Sequence, residues 1–128
     1  HSPITQLRQF FLLSAATDNV IKLWCLRSKM LLTQYKGHSC AIWSVNFSPS
    51  GYFFLSSGGD KTIRMWRTDS PIPVRMLVGH QSDVYKADFM KNPDYVISCS
   101  GDRSIRIWEI DTADCIRVSS PINLDHLL

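Results

Sequence analysis

Residues 37–66 read GHSCAIWSVNFSPSGYFFLSSGGDKTIRMW, and most of that stretch is written again further along the chain. Gly37-His38 returns as Gly79-His80, Ser56 as Ser98, Asp60 as Asp102 and Trp66 as Trp108, each 42 residues on. One step upstream, the same offset gives Ser14, Asp18 and Trp24. A fixed period of about 40–45 residues marks a repeat architecture in which each copy is one supersecondary unit.

Within a unit, segments alternate apolar and polar residues over strand lengths and end in turn formers. In the middle unit, residues 42–47 read as a strand with Trp43, Val45 and Phe47 on one side, followed by strands predicted over 52–57, 62–67 and 74–78. Ser48-Pro49-Ser50-Gly51 and Gly58-Gly59-Asp60-Lys61 are the turns, and residues 68–73 are the loop before the outer strand. The third unit repeats this over 84–89, 95–100, 104–109 and 115–118. In the first unit, strands are predicted from Phe10, over 20–25 and over 30–35. Residues 1–9 are expected to form an irregular lead-in, because Pro3 stands where the later units have Val45 and Ala87 and brings no N–H to a ladder.

The expected partition is a lead-in over 1–9, repeats within 10–120 (units at about 10–36, 37–78 and 79–119) and a tail over 121–128, where the pattern stops. Four short antiparallel strands cannot bury both faces alone, so each sheet must stack on its neighbour around a common axis. A closed ring takes about 4–8 such sheets. The chain is therefore expected to be a fragment of a larger ring or to complete one by oligomerising. Its uncovered residues would be Leu12, Leu13, Ile21 and Leu23 on the first unit and Tyr95, Ile97 and Ile107 on the third.

The 128 residues are 45% hydrophobic and 20% charged with a net charge of +3, a composition suited to a globular core. Basic residues are spread through the units, which argues against a nucleic-acid tail or a membrane-surface patch. Cys25, Cys40, Cys99 and Cys115 show no C-x-x-C spacing and read as reduced thiols of an intracellular protein, with no metal site. No apolar run reaches the roughly 18 residues of a membrane span, and Phe10–Leu13 is too short for a signal-peptide core. Since the sequence opens on His1, its natural start is expected upstream.

Ser, His and Asp in one unit are also the parts of a catalytic triad. Their repetition argues against that use, because an enzyme has no need of one triad per repeat. A chain of indole, hydroxyl, imidazole and carboxylate instead satisfies four buried polar groups at once. The expected structural network is His38, Ser56, Asp60 and Trp66, then His80, Ser98, Asp102 and Trp108, with Ser14, Asp18 and Trp24 in the first unit. Lys22, Arg64 and Arg106 stand two residues before each Trp and are read as solvated or Trp-stacking side chains on the solvent-facing side of their strands.

The Gly-His, the turn Asp and the Trp at constant spacing resemble the WD-repeat family of β-propellers. That resemblance implies an all-β, partial WD-repeat β-propeller of about three four-stranded antiparallel blades. Two departures stand out: Cys25, Arg67 and Glu109 replace the Asp of the Trp-Asp dipeptide, and the first unit has no Gly-His. The variable parts between Gly37 and Glu109, such as PVRMLVGHQSDV and NPDYVISCSGDRSIRIW, are further similar to the fifth TBP-associated factors, the WD-repeat subunits shared by TFIID and SAGA. This likeness implies a non-catalytic, nuclear protein-protein interaction scaffold for transcription initiation. Its partners would be histone-fold and other transcription-complex subunits, with no cofactor, small-molecule substrate or membrane. The alternatives are another WD-repeat adaptor, such as a ubiquitin-ligase substrate receptor or a signalling scaffold, and, more remotely, a serine hydrolase. Contact residues are expected in the loops beside the Gly-His: Ser39, Cys40, Ala41, Gln81, Ser82 and Asp83, with Asn19, Lys61 and Arg103 from the tight turns.

Overall fold

The computed structural model describes residues 4–120, all of them in strands, turns or irregular segments. Blade 1 is β1 (Ile4–Arg8), β2 (Phe11–Ala15), β3 (Val20–Cys25) and β4 (Met30–Lys36). Blade 2 is β5 (Ile42–Phe47), β6 (Phe53–Gly58), β7 (Thr62–Arg67) and β8 (Pro73–Val78). Blade 3 is β9 (Val84–Phe89), β10 (Tyr95–Ser100), β11 (Ile105–Glu109) and β12 (Asp114–Ser119). Each is a four-stranded antiparallel sheet whose spatial order is the chain order. The first strands of the blades are neighbours, β1 against β5 and β5 against β9, so they form the inner edge of the arc.

The expected lead-in over residues 1–9 is corrected by β1, which pairs with β2 from Ile4↔Ala15 to Arg8↔Phe11. Pro3 and the tail over 121–128 lie outside the described residues. What orders β1 is a partner remote in sequence. Gln6 bridges to β5, donating through Nε2 to Asn46 Oδ1 at 2.8 Å and accepting the Phe47 N–H, and Arg8 donates to Pro49 O at 3.0 Å. Asn46 in turn donates to Ala87 O at 2.8 Å, so side-chain amides stitch the inner strands of all three blades.

Two apolar layers fill the spaces between blades. Leu13, Ala15, Ile21 and Leu23 of blade 1 pack with Ile42, Val45, Phe54 and Trp66 of blade 2. Leu55, Ile63 and Met65 on the other face of blade 2 pack with Val84, Ala87, Val96 and Trp108 of blade 3. Leu13, Ile21 and Leu23, expected to be uncovered, are thus 0–4% exposed. The open side of blade 1 carries half-buried Leu12, Ser14 and Trp24 instead. Alternation tells which residues share a face but not which face meets the next sheet. On blade 3, Tyr95, Ile97 and Ile107 are half-buried on the open side.

A second correction concerns β5, where a bulge between Ile42 and Ser44 breaks the alternation. Ile42, Val45 and Phe47 turn toward blade 1, while Trp43 is re-aimed at blade 3, where its indole donates to Asp83 Oδ2 at 2.9 Å. The same irregularity recurs in β9 around Tyr85, 42 residues later.

Candidate functional site

The end of each blade that carries the Gly-His loop is locked by one chain of hydrogen bonds. An indole N–H can only donate, so Trp66 Nε1 gives its proton to Ser56 Oγ at 2.9 Å. The Ser56 hydroxyl then donates to His38 Nε2 at 2.6 Å, and His38 Nδ1–H donates to Asp60 Oδ2 at 2.9 Å. Blade 3 repeats the chain through Trp108, Ser98, His80 and Asp102 at 2.8, 2.7 and 2.9 Å. Asp60 also accepts from the Ser39 N–H and from the Thr62 N–H and hydroxyl, tying the Gly-His loop to the β6–β7 turn. Asp102 does the same with Gln81 and Ser104. Among the described residues no buried side-chain polar atom lacks a partner.

The electrostatics follow from this geometry. Burial disfavours the imidazolium and holds His38 and His80 below the ordinary histidine value, despite the carboxylates beside them. Burial works against charge on Asp60 too, but the Thr62 hydroxyl, His38 and the Ser39 N–H outweigh it and hold the carboxyl below its usual range. Asp102 is lowered further, with Ser104, the Gln81 N–H and His80 overcoming its desolvation. Each pair is therefore a neutral imidazole donating to an ionised carboxylate.

The order Asp, His, Ser is that of a triad, yet Ser56 is 0% and Ser98 2% exposed. Each hydroxyl also lies between an indole and an imidazole, which leaves no approach for a substrate.

The glycine of the Gly-His is placed by contact. A Cβ on Gly37 would lie 2.6 Å from Arg64 Nη1 and 3.2 Å from the Trp66 ring, and on Gly79 it would lie 3.0 and 3.1 Å from Arg106 Nη1 and Trp108. Arg64 is therefore tucked over that loop on the Trp66 side of β7 and not extended into solvent, with its side chain 17% exposed. Blade 1 keeps only part of the network: Trp24 donates to Ser14 at 2.9 Å, and Asp18 caps the Val20 N–H and pairs with Lys22 at 3.9 Å.

Around this frame the loops form a surface. Asn19, Lys61 and Arg103 close their four-residue turns, donating to the carbonyls of Ala16, Gly58 and Ser100, with φ of 61°, 70° and 67°, a left-handed conformation that aims equivalent side chains outward. Ser39, Cys40 and Gln81 are exposed, while Ala41, Ser82 and Asp83 are half-buried, each with its carbonyl or side chain in a loop hydrogen bond. Between the two Gly-His loops stand Trp43 and Tyr85, edge to face at 6.0 Å, with Tyr85 51% exposed. The sequence reading missed both, since regular alternation put Trp43 on the same side as Val45 and Phe47. Its signal was an aromatic residue at the same place in two consecutive repeats.

The family model for the WD domain, G-beta repeat, matches residues 29–67 and 71–109. The chain belongs to the WD-repeat family. No curated protein matches the chain. The family matches cut across the blades: each WD repeat here supplies the outer strand of one blade (β4 or β8) and the three inner strands of the next. WD domains mediate protein–protein interactions, and the three sheets make this chain a partial WD β-propeller of the kind that serves as an interaction scaffold. All four cysteines are free thiols, and no group of three or more His, Cys, Asp or Glu among the described residues could hold a metal ion.

Proposed function

We propose that this WD-repeat chain is a non-catalytic scaffold that binds protein partners through the Gly-His face, within a transcription initiation or coactivator complex of the TFIID/SAGA type. The observation that carries the binding role is the Trp43–Tyr85 pair, held on a rigid frame by two complete hydrogen-bond chains. Partly exposed Trp and Tyr on a preorganised surface are the side chains that dominate binding energy. Support for the finer reading is the likeness of the variable segments between Gly37 and Glu109 to the fifth TBP-associated factors. On that reading the partners are histone-fold subunits, and the protein works in the nucleus.

The test is binding of purified histone-fold subunit pairs to the chain. Retention of such a pair, weakened about tenfold or more by Tyr85→Ala, is the expected result, whereas no retention overturns the assignment to this kind of complex. Hydrolysis of activated esters provides the check on catalysis: turnover that disappears in Ser56→Ala or Ser98→Ala would overturn the scaffold reading.

A further inference from the structure

The ends of the blades opposite the Gly-His loops carry two grooves, one at each inter-blade seam. The first, about 440 Å³, lies between blades 1 and 2, and the second, about 420 Å³, between blades 2 and 3. Most of their lining positions correspond at the 42-residue offset: Phe11, Leu23 and Phe47 in the first become Phe53, Met65 and Phe89 in the second. The floors are alike. The charges are not.

In the first groove the chain supplies its own cation. Arg8 lies along the groove with its guanidinium against Gly51 and donates to Pro49 O, and Asp69 on the rim is held in a fork by Arg67, both bonds 3.0 Å. In the second groove Ser50 replaces Arg8, Asp94 replaces Tyr52, and Asp111 keeps the place of Asp69 while Glu109 replaces Arg67. No ion pair involves Asp94, Glu109 or Asp111 among the described residues. The nearby Arg75 gives its guanidinium to the carbonyls of Ile110 and Val74. A groove whose equivalent is lined by an internal arginine has thus lost that arginine and gained carboxylates, in a chain of net charge +3.

We propose that the groove between blades 2 and 3 receives an arginine side chain from a partner protein, in the place that Arg8 takes in the groove between blades 1 and 2. The aliphatic stem would lie on Phe53 and Phe89 with the guanidinium over the rings, and its head would meet Asp94 and Asp111. These carboxylates are not gathered as a metal site, whereas a planar, multi-donor cation on an apolar stem suits separated acceptors above an aromatic floor. The inference rests on the reading of the chain as a protein-binding module. It uses the opposite end of the blades, so loss of histone-fold binding in Tyr85→Ala leaves it standing.

The test uses the immobilised full chain and the peptide Ac-GALRLAG, alongside versions with norleucine or glutamate in place of the arginine. The arginine peptide is expected to bind roughly three- to tenfold more tightly than the norleucine peptide at low salt, the sum of two partly exposed ion pairs, and the gap should shrink as salt rises. Asp94→Asn with Asp111→Asn should close the gap, and Asp69→Asn should leave it unchanged. Ser50→Arg, which restores the internal cation, should also abolish the preference while the chain remains folded by its thermal melt. Equal binding of the three peptides, no binding of any, or a preference that survives the Asn pair or Ser50→Arg overturns the proposal.

Discussion

His38 links two groups of blade 2, the Ser56 hydroxyl on one side of the ring and the Asp60 carboxylate on the other. Removing the imidazole leaves the Ser56 proton without its acceptor and takes one donor from Asp60, and removing the carboxylate strands the imidazole Nδ1–H, so His38→Ala and Asp60→Ala should each destabilise the chain by about 1–3 kcal/mol. Denaturant or thermal unfolding checks this, and variants that unfold like the parent would remove the structural role of the network in blade 2. The same histidines set a pH dependence. Because their folded pKa is held below the unfolded value, near 6.5, the unfolded chain binds protons first as pH falls. The stability they contribute is complete above that value and declines as pH drops toward the folded one. The depressed carboxyls of Asp60 and Asp102 add a second, more acidic decline, beginning near the unfolded aspartate value and running below it. Stability measured across this range should fall on acidification, and replacing both His38 and His80 by Gln should flatten the upper portion only. An unchanged slope there would contradict neutral, buried imidazoles.

At the scale of the element, the turn between β6 and β7 depends on how closely backbone approaches backbone. A Cβ on Gly58, at the end of β6, would sit 2.8 Å from Ala41 O and 3.1 Å from His38 Nδ1. The first of these is a main-chain atom that cannot swing away, because it accepts the Gly59 N–H at 2.8 Å. The nearest atom to a Cβ on Gly37 is instead the tip of the flexible Arg64 side chain. Gly58→Ala is therefore expected to cost roughly 1–3 kcal/mol and Gly37→Ala less, an ordering that equilibrium unfolding of the two variants would read directly. The reverse ordering would mean that the loop, not the guanidinium, gives way. The turns and the three inner strands of blades 2 and 3 were legible in the sequence because their signals are local: alternation, Gly, Asp and Pro. β1 was not legible, because Ile4–Arg8 owes its order to β2 and to Asn46 and Pro49, which a local reading cannot see.

Across the whole molecule, each seam joins the Trp-bearing face of one blade to the aliphatic face of the blade before it. The two outermost faces are then complementary in kind: blade 1 presents Leu12, Ser14 and Trp24, and blade 3 presents Ile97, Ile105 and Cys99 around an apolar hollow of about 320 Å³. Repeat arrays need polar caps to stay soluble, and among the described residues no further strand covers either face. The 128-residue chain by itself should therefore associate at micromolar concentration, and Ile97→Asp should shift it toward monomer. Sedimentation velocity decides this, with a monodisperse, folded monomer of the parent counting against apolar exposure as a driving force.

The sequence by itself determined the period, the four-stranded unit and the Trp, Ser, His and Asp that bond one another in blades 2 and 3. It could do so because a Trp, Ser, His and Asp recurring at fixed spacing form a closed set of donors and acceptors whatever surrounds them. Only the tertiary structure decided which face of each sheet is covered, since alternation defines two faces and stacking chooses between them. It also decided that Trp43 parts from Val45 and Phe47 to join the Gly-His face and that Arg64 folds inward over Gly37. Both outcomes depend on a bulge and on a neighbouring backbone, and such contacts across space leave no periodic trace in the chain.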